Sequence, residues 1–75
     1  MPAIPRITGR DAVRAFERAG FTVARISGSH HILKKEGCPN RLSIPVHAGE
    51  TVGTGLLKSQ IEAAGLTIEQ FLELL

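Results

Sequence analysis

The sequence predicts an α+β fold in which a three-stranded antiparallel sheet carries helices on one face. Three observations predict it: an amphipathic helical pattern opens the chain, three β-rich segments separated by turn signals follow, and two capped helical segments close it. A chain of 75 residues supports one core, since a domain of this size buries only about 60% of its unfolded surface, so residues 1–75 are read as a single domain.

The first helix starts at Thr8, with Asp11 three residues on as a weak capping box and Ile7 placed to staple against Ala12. It runs to about Ala19. Ala12, Val13, Phe16 and Ala19 form the apolar stripe, Arg10, Arg14, Glu17 and Arg18 fall outside it, and Gly20 supplies the left-handed cap. "FTVARI" (21–26) and "HHILKK" (30–35) are joined by the turn signal "SGS", which reads as a hairpin, and "EGCPN" (36–40) is the next turn. The third strand, "RLSIPVH" (41–47), puts Leu42, Ile44 and Val46 on one face and Arg41, Ser43, Pro45 and His47 on the other. Pro45 has no N–H to give a ladder, which predicts an edge position. The loop "AGETVGTG" leads to Thr54 as the N-cap of a second helix, "GLLKSQIEAAG", which turns Leu57 and Ile61 inward and ends at Gly65. Thr67 and Gln70 form a capping box for a last short helix with Ile68, Phe71, Leu72 and Leu75 as its apolar stripe.

Composition excludes several functional classes. Three Phe and no Trp or Tyr argue against a broad base-stacking platform, and the phenylalanines are read as core. Cys38 is the one cysteine, so an internal disulfide and a Cys-rich zinc module are excluded and a reducing cytoplasm is the expected setting. No run of eighteen apolar residues predicts a membrane span, and "MPAIPRITGR" lacks the apolar core of a signal peptide. Charge is unevenly spread: residues 1–35 hold seven Lys/Arg against Asp11 and Glu17, whereas residues 36–75 hold two against five acids. The basic half points to a polyanion such as RNA or DNA.

The adjacent histidines are the chemically distinctive feature. In a regular strand His30 shares a face with Ile32, and His31 shares the other with Leu33. Both companions are apolar, so alternation alone leaves open which histidine faces solvent. A zinc site using either of them with His47 and Cys38 matches no compact ligand spacing. Glu50 is a weak candidate acid, and no phosphate-binding loop, dinucleotide fingerprint or Ser-His-Asp arrangement is visible, so no cofactor is expected.

The stretches "FERAGF", "GSHHILKK", "LSIPVHAGE" and "GTGLLKSQIEAAGLT", in that order, resemble the HicA toxin family, small RNA-cleaving proteins of toxin–antitoxin pairs. The likeness runs from Asp11 to about Phe71. It implies a fold similar to the double-stranded RNA-binding domain, a metal-independent mRNA endonuclease activity, and a HicB-type antitoxin as protein partner. In the family pattern the histidine after Gly-Ser is catalytic, which implies His30, with His31 as the alternative because a one-residue change of register exchanges the two. Histidine suits proton transfer in RNA cleavage, since its ordinary pKa of about 6.5 leaves both forms populated near neutrality. Beside it, Gly28 permits a tight turn, Ser29 can donate to a phosphate, and Arg25, Lys34 and Lys35 are near enough along the hairpin to hold RNA phosphates. The alternative reading is a non-catalytic RNA-binding module of the same fold. The apolar Leu66, Ile68, Phe71, Leu72, Leu74 and Leu75 either close the core or leave part of the segment as an anchor for the partner.

Overall fold

The computed structural model describes residues 3–75; Met1 and Pro2, which the expected domain includes, lie outside the described residues. The chain runs α1 (Gly9–Arg18), β1 (Thr22–Ser27), β2 (His30–Lys35), β3 (Cys38–Pro45), α2 (Thr54–Ala63) and α3 (Ile68–Glu73). The strands form one antiparallel sheet in the order β1-β2-β3, so β2 is central and β3 is at an edge, where Pro45 is tolerated. This is the expected α+β arrangement and is compatible with a double-stranded-RNA-binding-domain-like fold.

Helix α1 forms where its caps and its stripe agree. Thr8 Oγ1 accepts from the Asp11 backbone N–H at 3.2 Å, and Gly20 follows the Ala19 C-cap at φ 103°. The helix buries Ala12, Val13, Ala15 and Phe16 and leaves Arg10, Arg14, Glu17 and Arg18 exposed. Phe16 is the centre of the aromatic packing: its ring lies 6.1 Å from Phe21 in an edge-on arrangement and 5.0 Å from Phe71 of α3. Arg18 adds a second tie to the C-terminal segment, its guanidinium donating to the Leu74 carbonyl at 2.6 Å.

Both hairpin turns are two residues long. At Gly28-Ser29 a positive φ at the first central residue (59°) and none at the second is the sign pattern of a type II′ turn, which matches the strand twist. At Glu36-Gly37 the positive φ falls on the second, Gly37 (85°), as in a type II turn. The tight second turn lets Cys38 pair with Lys35, so β3 begins at Cys38 rather than Arg41 and ends at Pro45 rather than His47. Pro39 and Asn40 look like loop residues in sequence; an edge strand accommodates Pro39, and Asn40 Nδ2 donates to the Ala63 carbonyl at 3.1 Å.

Helix α1 packs against β1 and β3, α2 against β3, and α3 against α2. Leu33, Leu42 and Ile44 from the sheet meet Phe16, Leu57, Ile61 and Phe71 with no exposed surface or almost none. Helix α2 is capped by Gly53, with Thr54 as its first helical residue, which corrects the expected N-cap: Gly53 makes no side-chain cap, and Thr54 has already entered the helix. The capping box of α3 is complete, with Thr67 Oγ1 accepting from Gln70 N at 3.1 Å and Gln70 Oε1 from Thr67 N at 2.9 Å. Of the expected α3 stripe only Phe71 is fully buried; Ile68 and Leu72 are half-buried and Leu75 is 46% exposed, because the helix is short and packs chiefly on α2 and Phe16.

The start of α1 is pressed onto the end of β3. Gly9 is buried there, and a Cβ built on it would overlap the Pro45 carbonyl oxygen and lie 2.9 Å from Val46 Cα, both backbone atoms with no room to yield. Gly55 in α2, by contrast, has open space around it. Gly9→Ala is therefore expected to destabilise by about 1–3 kcal/mol, while Gly55→Ala gains about 0.4–1 kcal/mol. Urea midpoints that rise for both variants would contradict the close approach.

Candidate functional site

Burial of Leu33 decides the faces of β2. Leu33 and His31 point to the helix side, and His30 and Ile32 to the side without helices. Register carries that division across the sheet: Ser27 and Pro45 flank His30 on the neighbouring strands, and Arg25 and Ser43 flank Ile32. A bulge at Ala24 lies between the Val23–Leu33 and Arg25–Ile32 pairs. From Arg25 to the Gly28-Ser29 turn the pairing is unbroken, so the turn sets Arg25 on the His30 face, and the bulge brings Val23 opposite Leu33 on the helix side.

The result is a shallow depression of about 530 Å³ on the open face, lined by Arg25, Ser27, His30, Ile32, Arg41 and Ser43. Two guanidinium groups, one imidazole and two hydroxyls surround a single apolar side chain, and no carboxylate is among them. Guanidinium presents a planar fork of donors suited to phosphate, and hydroxyls both donate and accept. Guanidinium, imidazole and hydroxyl groups without a carboxylate make this surface chemically suited to an anion.

His31 occupies a different environment. It lines a groove between α1 and the sheet with Arg10, Val13, Arg14, Glu17, Val23, Ile26 and Val46, and its Nδ1 is buried without a hydrogen-bond partner. The sheet thus separates the two imidazoles. The turn ahead of them is fixed by the Ser29 carbonyl, which accepts from the Val46 N–H at 2.7 Å; Gly28 has open space around it, so its role in the turn is its positive φ rather than a close approach.

Among the expected phosphate-holding residues, Arg25 lies in the His30 depression and the two lysines do not. Lys34 and Lys35 line a separate hollow with Gly20, Thr22 and Glu36, and the Lys35 ammonium sits 5.7 Å from the centre of the Phe21 ring. That position is a cation–π contact against the core aromatic. Cys38 is half-buried against the end of α2, with Sγ 3.7 Å from the Ala63 carbonyl oxygen, and His47 is exposed beyond β3. Among the described residues no group of three His, Cys, Asp or Glu side chains could hold a metal ion. No described helix is long and apolar enough to cross a membrane.

Arg41, Ser43 and Ser27 complete the depression and were not among the candidates read from sequence. Alternation in "RLSIPVH" already separates Arg41 and Ser43 from the buried Leu42 and Ile44. What joins them to His30 is the β2–β3 register, which no local pattern reveals.

The family model "HicA toxin of bacterial toxin-antitoxin" matches residues 9–66. That span holds every residue of the depression. No match is found among curated proteins.

The placement of the histidines is open to chemical test. With diethyl pyrocarbonate, site-resolved mass spectrometry should find exposed His30 and His47 carbethoxylated well before His31. His31 reacting first would contradict the assignment of faces.

Proposed function

The chain belongs to the HicA toxin family of bacterial toxin–antitoxin pairs, and from that premise we propose that it is a metal-independent endoribonuclease that cleaves mRNA, with His30 as its general acid/base. The observation that carries the reading is the position of His30: it alone of the two adjacent histidines lies on the open sheet face, in a depression with Arg25 and without a carboxylate. The resemblance supplies the activity; the geometry supports His30 over His31 as the residue that performs it.

RNA contains its own nucleophile. In the proposed reaction His30 accepts the proton of a 2′-hydroxyl as that oxygen bonds to the adjacent phosphorus. The bond from phosphorus to the 5′-oxygen breaks, and the leaving oxygen takes up a proton from the imidazolium or from water. The products are a 2′,3′-cyclic phosphate and a free 5′-hydroxyl. Arg25 neutralises charge on the phosphate, and Ser27, paired with His30 across the hairpin, stands beside it as a hydroxyl donor. Proton transfer by a positioned side chain contributes roughly 100- to 10,000-fold in rate. Gly28 and Ser29 act through the turn that sets His30 at the start of β2.

A toxin of such a pair needs an antitoxin, and a HicB-type protein is the partner proposed here. An acidic partner laid over the cationic open face would exclude RNA, and opposite charge would speed its capture of the toxin.

His30→Ala is expected to lower cleavage by 100-fold or more while leaving RNA affinity almost unchanged, whereas His31→Ala retains cleavage. Equal loss of binding and cleavage in His30→Ala would make His30 an RNA-binding residue rather than the general acid/base, and wild-type protein that binds RNA without cutting it would favour a non-catalytic RNA-binding module. Cleavage should also survive EDTA, since the lining of the depression offers imidazole and cations but no carboxylate donors suited to Mg²⁺. Loss of cleavage on chelation, with recovery on adding Mg²⁺ or Mn²⁺, would overturn the metal-independent mechanism.

A further inference from the structure

The geometry points to Arg41 as a positioning residue that holds a phosphate of the RNA strand other than the one being cleaved. The inference rests on the endoribonuclease reading above and adds to it a substrate contact on β3. His30 is paired with Pro45, four residues along β3 from Arg41. At about 3.4 Å of rise per residue, roughly 14 Å of strand separates the two positions, with a further step of about 4.8 Å across to β2. Both side chains nevertheless line one continuous depression. A phosphate at His30 lies far from the backbone that carries Arg41, whereas the next phosphates of the same strand pass along the face toward it. Arg25 stands opposite Ile32, about 7 Å along the sheet from the His30 row, but on β1, the edge away from Arg41.

Arg41 is exposed, but the backbone that carries it is held on both sides. Asn40 Nδ2 donates to the Ala63 carbonyl at 3.1 Å, the Ser43 N–H donates to Gln60 Oε1 at 2.9 Å, and Leu42 between them is fully buried. Helix α2 thereby satisfies the outer edge of β3 and fixes the point from which the guanidinium reaches over the open face. A side chain anchored this way loses less freedom on meeting a phosphate than one on a mobile loop. His30 and Arg41 together thus measure a length of RNA along the sheet.

The test uses the full chain as wild type, Arg41→Ala, Arg41→Lys and, as a matched loss of charge on exposed α2, Lys58→Ala. Cleavage is followed on a dinucleotide with one phosphodiester and on a longer single-stranded RNA. Binding of the longer RNA is measured by anisotropy in the His30→Ala background across a salt series. Arg41→Ala should raise KM for the longer RNA about tenfold with little change in kcat, and should lower the slope of log K against log salt by about 0.7, the value of one phosphate contact. Arg41→Lys should restore the slope, Lys58→Ala should match wild type, and cleavage of the dinucleotide should be indifferent to Arg41. A fall in kcat with unchanged KM and salt slope, or an equal loss on the dinucleotide, would overturn the assignment. If wild type cuts neither RNA, the nuclease reading fails, and the salt slope still decides whether Arg41 holds a phosphate.

Discussion

Leu33 is the side chain on which the arrangement depends. It is fully buried at the centre of the middle strand, and because side chains alternate along a strand, its burial forces Ile32 and His30 to the opposite face. A slip of one residue would expose Leu33, drive His30 toward the core and present His31 to solvent. The apolar set that opposes such a slip includes Leu42 and Ile44 of β3, which share the helix side with Leu33. Burying a leucine is worth about 1.5–3 kcal/mol, so several buried together hold the register against the modest gain of any alternative pairing. The position of the imidazole thus follows from packing on the face of the sheet turned away from it.

The helix layer also fixes the ends and edge of the sheet. Gly9 lets the first turn of α1 lie against the Pro45–Val46 backbone, and Val46 in turn binds the Ser29 carbonyl, so the turn before His30 is braced against the end of β3. Gln60 and Asn40 close the outer edge of β3 against α2, which both supports that strand and blunts an edge that could pair with another chain. Phe16 links α1 to Phe21 and to Phe71, gathering the short α3 into the same core. These contacts leave the open face free of structural duty, so its residues can be arginine, serine and histidine.

Legibility in the sequence followed the range of the interaction. Thr8, Gly20, Gly65 and the Thr67–Gln70 box were readable because caps act within one helical turn, and the apolar stripe of α1 because its period is local. Thr54 looks like the cap in sequence, one position late, because Gly53 supplies no side-chain signal there. Cys38–Asn40 read as a turn because Pro39 and Asn40 are turn residues; only the edge position and the Ala63 contact make them strand. The face of His30 was undecided by alternation, since Ile32 and Leu33 are both apolar and only tertiary burial separates them. Family likeness named His30, but the cations that accompany it depend on strand register: Arg25 joins it, Arg41 arrives from β3, and Lys35 turns to Phe21 instead.

The decisive observation is where RNA lies on the sheet. An oligonucleotide with 2′-deoxy sugars lacks the attacking hydroxyl and stays intact, so its complex with the wild-type chain can be mapped by NMR. If His30 is the reacting group, chemical-shift changes and intermolecular contacts will fall on Arg25, Ser27, His30, Ile32, Arg41 and Ser43, with the helix side silent. Contacts confined to Arg10, Arg14 and His31 in the α1 groove would contradict the open-face site.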